Sequence, residues 1–179
     1  MTKLKKEIEQ APIVNINDFN FKVYSFGERG QKISHQLLKE ITQQLAKSIK
    51  NNFNNFDYII SPEPGGHVWG SLVSLTIKKD LNILRLNPSK QNGEIKIFRK
   101  TTYNSNVLFL NKFKPGDKVI IVDDIVCSGS TLDIIIKTLK KQKIKIVGIQ
   151  VILAMTDDYK KIAKKNNIKI KFLEKTISK

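Results

Sequence analysis

The sequence has a single cysteine, Cys127, so no disulfide can form within the chain. That usage fits a reducing compartment. No apolar run approaches the roughly 20 residues that span a bilayer. The basic start, Met1-Thr2-Lys3-Leu4-Lys5-Lys6, leads into no long apolar segment with a cleavage site, so no secretory signal is expected. Together these absences predict a cytoplasmic protein with no membrane partner. Acidic side chains are scarce: 16 against 32 basic ones, a formal net charge of +16. Such a surplus attracts polyanions, whether nucleotides, pyrophosphate or nucleic acid. Arginine is scarce as well, limited to Arg29, Arg85 and Arg99, and the lysine-rich span 137–179 lacks it altogether. With little aromatic interleaving there, the case for a nucleic-acid surface is weak. Repeats and low-complexity linkers are missing. So are GxxxxGK[ST] and GxGxxG patterns, which leaves the P-loop and dinucleotide readings without their required parts.

What remains is a chain of 179 residues, long enough for one domain with a real core. Leu4 to Gln10 reads as a short helix ended by Pro12, and Phe19 to Phe26 alternates loosely like a strand with one buried face. Ile33, Leu37, Leu38, Ile41, Leu45 and Ile49 recur at helical spacing and predict an amphipathic helix over 34–50, with Ser34 as its cap. A rhythm follows. Strands are expected at 57–60, 82–86, 118–123, 145–153 and 168–172, and helices at 68–77, around Leu132 to Leu139 and at 157–165. The longest apparent loop covers 87–106. Strands alternating with helices predict an α/β fold whose parallel sheet is covered on both faces. Ligands of such sheets bind outside the rim formed by the strand C-terminal ends.

The unusual residues fall on that rim. The stretch Ile120-Ile121-Val122-Asp123-Asp124-Ile125-Val126-Cys127-Ser128-Gly129-Ser130-Thr131 ends a strand in two carboxylates and runs at once into small hydroxyl residues around a glycine. An ordinary strand–turn–helix with Ser130 as cap accounts for Ser130 but not for the paired acids. A helix start offers unpaired amides and a favourable dipole to an anion. Carboxylates beside it suit sugar hydroxyls or a metal. The second turn, Ser61-Pro62-Glu63-Pro64-Gly65-Gly66, follows the first core strand, and its glycine pair before a helix is another candidate anion nest. Its plain alternative is a rigid turn with Glu63 exposed. His67 reads as a helix-start residue and Trp69 as core.

The stretch from Ile121 to Thr131 resembles the phosphoribosyl-pyrophosphate (PRPP) motif of the type I phosphoribosyltransferases. Further segments resemble the archaeal-type purine (hypoxanthine or adenine) members: Ala11-Pro12-Ile13-Val14, residues 36–41, Glu63-Pro64-Gly65-Gly66, Arg85, Gly93-Glu94, Tyr103, residues 108–111 and residues 116–120. The likeness implies a single domain with a central parallel sheet flanked by helices. A small N-terminal hood over 1–30 would serve base recognition, and 87–106 would be a mobile flap. It implies transfer of phosphoribosyl from PRPP to a purine, with Mg²⁺ as cofactor and a homodimer as the assembly. Asp123 and Asp124 would hold the ribose hydroxyls, partly through the metal. Cys127, Ser128, Gly129, Ser130 and Thr131 would form the ribose and 5′-phosphate loop. Glu63, Pro64, Gly65, Gly66 and Arg85 would bind pyrophosphate, with Lys90 and Arg99 as flap cations.

Three departures qualify that transfer. Cys127 stands where some relatives carry an aspartate thought to act as base, and a neutral thiol does that job poorly, so Glu94 is the substitute candidate. Ser130 replaces a usual glycine. Glu28-Arg29 stands near a conventional Asp-Gly. Among the N-terminal aromatics, Tyr24 and Phe26 are candidates for stacking on a purine, although core packing explains them equally well. The alternative function is a nucleotide-responsive regulator of the same fold that binds nucleic acid.

Overall fold

The computed structural model describes residues 1–16, 19–30, 32–100 and 105–176. The chain opens with helix α1 (Lys3–Gln10), whose cap Thr2 accepts the Lys5 amide, and an antiparallel hairpin of β1 (Ile13–Ile16) and β2 (Phe19–Lys22). The strand expected over 19–26 therefore stops at Lys22. Residues 24–30 form consecutive turns instead, closed by Gly27 N donating to Tyr24 O and Gly30 N to Gly27 O.

Helix α2 (His35–Asn52) follows the predicted apolar spacing and buries Leu37, Ile41, Leu45 and Ile49. Ser34 caps it, its Oγ accepting the Leu37 amide at 3.2 Å. Then come β3 (Tyr58–Pro62), α3 (Gly66–Ile77) and β4 (Asp80–Leu84). Helix α3 carries no charged side chain along its twelve residues. The expected long loop contains a second hairpin, β5 (Ile95–Lys100) with β6 (Ser105–Leu110). Ile97, Leu108 and Leu110 are its core-facing residues. It joins the sheet through one main-chain bridge, in which Arg85 and Phe109 exchange bonds of 2.9 and 2.8 Å. The chain ends with β7 (Lys118–Val126), α4 (Ser130–Lys141), β8 (Lys145–Ala154), α5 (Asp158–Asn166) and β9 (Ile170–Lys175).

The central sheet is all parallel, in the order β4-β3-β7-β8-β9. Alternate residues along each strand point to opposite faces. Ile59, Ile120, Val122 and Ile152 pack with α1, α2 and α3, while Ile60, Val119, Ile121 and Ile149 pack with α4, α5 and the β5–β6 hairpin. The chain steps outward from β3 to β4, returns across β3, and then steps the other way through β7, β8 and β9. Strand order thus reverses between β3 and β7, and the carboxyl ends of those two strands define the place where ligands of open α/β sheets bind. Among the described residues no helix is long and apolar enough to cross a membrane.

Candidate active site

β7 carries Asp123 and Asp124 to the switch point. The strand continues to Val126, so the acids lie within it rather than at its end as the sequence suggested. They are also less open than a rim position implies, at 9% and 7% exposure. Asp124 N donates to Asp123 Oδ1 at 2.9 Å, and Ile125 N to Asp124 Oδ1 at 2.7 Å. Burial pushes the Asp124 carboxyl above the ordinary carboxylate range. A side-chain hydrogen bond from Asp123 and the Ile125 amide pull the other way, and the Glu28 charge adds to the rise.

The turn after β3 is what covers the acids. Its Glu63–Pro64 peptide is cis. A Cβ on Gly65 would sit 2.0 Å from Asp124 Oδ2, and one on Gly66 would sit 2.7 Å from Asp123 Oδ1. Ser61 Oγ lies 2.7 Å from both Gly66 O and Val122 O, tying the turn to β7. His67 Nδ1 lies 2.7 Å from Pro64 O, and Trp69 is buried, as its place in the apolar run predicted. The two motifs read separately in the sequence are one wall: glycine backbone against paired carboxyls.

The loop that follows makes the floor. Gly129 has φ +74, and a Cβ there would lie 2.2 Å from Ile162 Cδ1. Only glycine meets both demands. It is also the residue preceding α4, which has no side-chain cap; Ser130 is the first helical residue. The first helical bond runs from Asp133 N to Gly129 O at 2.9 Å, so the amides of Ser130, Thr131 and Leu132 have no partner within the helix, that of Ser130 reaching Ser128 Oγ at 3.4 Å. Ser128 and Ser130 are exposed, their hydroxyls 3.2 Å apart. Thr131 is half-buried beside them. Cys127 Sγ lies 3.3 Å from Met155 Sδ. Desolvation, then the Asp124 charge, pushes the thiol up, keeping it neutral.

Arg85 reaches Glu63, with Nη1 2.7 Å from Oε1, and the other carboxylate oxygen accepts the Leu86 amide at 2.7 Å. Burial alone would raise the Glu63 carboxyl, but the Leu86 amide and Arg85 hold it below the usual range. Glu63 therefore serves to seat Arg85 at the end of β4. Glu94 is not beside the acids. It accepts the Ser89 amide at 2.6 Å and the Ser89 hydroxyl, and Asn111 Nδ2 donates to the same Ser89 Oγ at 2.7 Å. With Arg85 and Asn82 it lines a cavity of about 370 Å³ beyond β4, two strands from β7. Its carboxyl is lowered, chiefly by the Ser89 hydroxyl, so it organises the 89–94 loop. Lys90 is exposed in that loop with φ 58. The Arg99 side chain and Tyr103 lie outside the described residues.

The N-terminal segment packs against the same acids. A Cβ on Gly27 would sit 3.7 Å from Asp124 Oδ2, and the Glu28 amide works to lower that carboxyl while the Glu28 charge raises it. This contact was missed in the sequence, where the Glu28-Arg29 departure was its only signal. Tyr24 and Phe26 are 3% and 1% exposed, with ring centroids 5.2 Å apart, and Trp69 Nε1 donates to Phe26 O at 2.9 Å. The structure thus places both rings in the core, the role that packing alone explains. Ser25 Oγ in this segment is buried without a partner, the one such side-chain atom among the described residues. An orphan of this kind costs about 1–3 kcal/mol.

A helix N-terminus, a glycine turn and paired acids meet at the sheet's switch point. A family model described as phosphoribosyl transferase domain matches residues 32–176. The chain belongs to the phosphoribosyltransferase family, whose members are transferases. It is 30% identical over 173 residues to a hypoxanthine/guanine phosphoribosyltransferase of Methanocaldococcus infernus, covering 97% of this chain and 93% of that one. A protein of the same name from Methanotorris igneus is 29% identical over 172 residues, covering 96% and 93%. Among solved structures, adenine phosphoribosyltransferase from Thermoanaerobacter pseudethanolicus superposes with a TM-score of 0.76 at 19% identity, over 97% of this chain and 100% of that one. The Giardia lamblia enzyme complexed with 9-deazaadenine gives 0.77 at 13% identity, over 99% and 100%. At these identities the structural likeness speaks for the fold.

Proposed function

We propose that the protein transfers the phosphoribosyl group of PRPP to a purine, with hypoxanthine as the first candidate base, releasing pyrophosphate. The observation that carries this reading is the contact of Gly65 and Gly66 with Asp124 and Asp123, which unites an anion-binding turn and a sugar-binding acid pair. The relatives matched along nearly the whole chain are named for hypoxanthine and guanine, which favours a 6-oxopurine over adenine. A homodimer is part of the same reading.

In this assignment the α4 amides with Ser128, Ser130 and Thr131 hold the 5′-phosphate, and Asp123 and Asp124 accept hydrogen bonds from the ribose hydroxyls. The Gly65–Gly66 turn and Arg85 face the pyrophosphate. A purine nitrogen bonds to C1′ as the C1′–O bond to pyrophosphate breaks, and the proton of the purine imidazole N–H passes to the departing pyrophosphate or to water. Positive charge grows at the sugar and negative charge on the departing anion, where Arg85 and fixed amide dipoles oppose it. The donor set fits Mg²⁺. Among the described residues no group of three or more His, Cys, Asp or Glu side chains could hold a metal, but Mg²⁺ is commonly bound by one or two carboxylates together with substrate phosphates. Asp123 and Asp124 would hold it, and it would neutralise charge on the leaving group.

The test is to incubate the protein with Mg²⁺, PRPP and each of hypoxanthine, guanine, adenine and xanthine, and to separate the products by chromatography. Inosine monophosphate is expected. If none of the four bases yields a nucleotide, the reading fails.

A further inference from the structure

All strands of the central sheet are parallel, so their amino ends, with the connections that enter them, form a second rim far from Asp123 and Asp124. We infer that this rim binds the phosphate backbone of a nucleic-acid duplex. The inference goes beyond the reading above and does not depend on it, because the two surfaces lie at opposite ends of the strands.

Lysines from separate segments meet here, which is why no single span of sequence displays the surface. Lys78 precedes β4, Lys112 and Lys114 precede β7, Lys143 and Lys145 stand at the start of β8, and Lys169 precedes β9; all are exposed. Neighbouring strands lie about 4.8 Å apart, so the strand entries make a row about 20 Å long. The acids of this rim do little to neutralise it. Asp57 accepts the Lys118 amide at 2.7 Å. Asp117 accepts the Lys114 amide at 2.7 Å and the Tyr58 hydroxyl at 2.9 Å. That leaves Asp80. Among the described residues the ion pairs lie elsewhere: Lys5, Arg85, Lys160, Lys161 and Lys175 pair with acids at the ligand end, and Lys137 and Lys165 share Asp133. None of the six rim lysines is in one.

Helix polarity explains part of the layout. A cation is stabilised near a helix C-terminus, and Lys50, Lys141 and Lys164 occupy last turns. It does not explain Lys112 and Lys114, which follow a strand. Nor does it explain the backbone at Lys78, Lys112 and Lys143, whose φ values are 58, 54 and 59. Glycine fits that left-handed region without penalty, and asparagine is the next best tolerated. The other two strand entries do hold asparagines there, Asn55 and Asn167. Lys90 is the one left-handed lysine off this rim among the described residues. Three connections thus keep a cation against the local backbone preference.

The chemistry fits a duplex read through its phosphates. About 20 Å of duplex offers roughly six phosphates on the strand that faces the row. The rings at this rim, Phe53 and Phe56, are buried, with Lys169 and Lys79 over them at 5.8 and 5.0 Å from the centroids. No aromatic platform is therefore open to an unpaired base, which disfavours a single strand. A lipid surface is taken up by apolar side chains set among the cations. The large apolar side chains exposed among the described residues include none in these connections.

Glycine at Lys78, Lys112 and Lys143 separates charge from fold, since it removes three cations while relieving the backbone. The intact protein is titrated with a fluorescent DNA duplex of about 20 base pairs, in two unrelated sequences, between about 50 and 200 mM salt. Wild type should bind both sequences alike, with log K falling against log salt at a slope of about −4 or steeper. The Lys78→Gly, Lys112→Gly, Lys143→Gly variant should lose about 2–3 from that slope and weaken at least about thirtyfold at about 0.1 M salt. Its Tm should hold or rise, and its nucleotide formation should be unchanged. A control replacing Lys3, Lys6 and Lys39, exposed on α1 and α2, by glutamine removes the same charge and should weaken binding by less than about threefold. Absence of wild-type binding at about 50 mM salt overturns the proposal. So does an equal loss in the two variants, which would reduce the effect to bulk charge. Tighter binding to phosphatidylserine vesicles than to duplex overturns it in favour of a membrane.

Discussion

A side chain at position 65 would collide with Asp124, its Cβ 2.0 Å from Oδ2 and 2.5 Å from Cγ. Gly65 has φ −78 and ψ −44, an ordinary right-handed conformation, so contact and not backbone freedom demands glycine here. Gly65→Ala should destabilise the protein by about 1–3 kcal/mol through overpacking. In an Asp124→Ala background the same change should cost far less. Urea denaturation of the four proteins gives the coupling; simple additivity would mean that the two residues do not interact.

Asp124 also sets a stability against an activity. Burial raises its carboxyl, so the folded chain holds a proton more firmly than the unfolded chain. That contribution is present at low pH and is lost as pH rises from the unfolded carboxylate value toward the raised one. At neutral pH the site works against the fold. Asp124→Asn keeps the shape and an acceptor for the Ile125 amide, and should raise Tm by about 2–4 °C if it gains about 1 kcal/mol. Nucleotide formation should drop at least about tenfold. Melting curves across pH provide the check, because the variant should lose the slope above the carboxylate range.

Glu63 titrates with the opposite sign. Its carboxyl is held below the usual range, so it contributes stability above the unfolded carboxylate value and loses it as pH falls through the lowered one. Its partner Arg85 has a side chain 55% exposed, so the ion pair itself is worth less than about 1 kcal/mol. Arg85→Met should therefore barely change Tm while raising KM for PRPP by about tenfold, since the guanidinium's main task is the anion. A large fall in Tm with unchanged KM would reverse that assignment.

At Gly129 two penalties add. The left-handed backbone costs an ordinary residue roughly 1–2 kcal/mol, and the Cβ would overlap Ile162. Gly129→Ala should lower stability and raise KM for PRPP more than KM for the base. Adding Ile162→Ala should recover the overlap part alone, measured by the same denaturation assay.

Much of this was legible in the chain. Helix α2 announced itself by spacing, and the place of Ser128 to Thr131 between a strand and a helix followed from the apolar run before them and the helical spacing after them. The hairpin at 95–110 was not legible, because the largely exposed Phe98 breaks the alternation that Ile95, Lys96 and Ile97 begin. Neither was the true place of Glu94. Sequence offered a free carboxylate in a flap; the fold supplied Ser89 and Asn111 as its company, and partners from separate elements leave no trace in local pattern. Tyr24 and Phe26 show the converse: aromatics suited to a ligand and aromatics suited to a core look alike until burial decides.

The bridge between Arg85 and Phe109 bears on how the β5–β6 hairpin is coupled to the rest. Arg85 holds the hairpin by its main chain and Glu63 by its guanidinium, so one residue serves as both hinge pin and grip. A shift of the hairpin cannot bypass that pin. Its tilt is handed directly to the guanidinium proposed to face the departing anion, and mechanical position and electrostatic aim become a single variable.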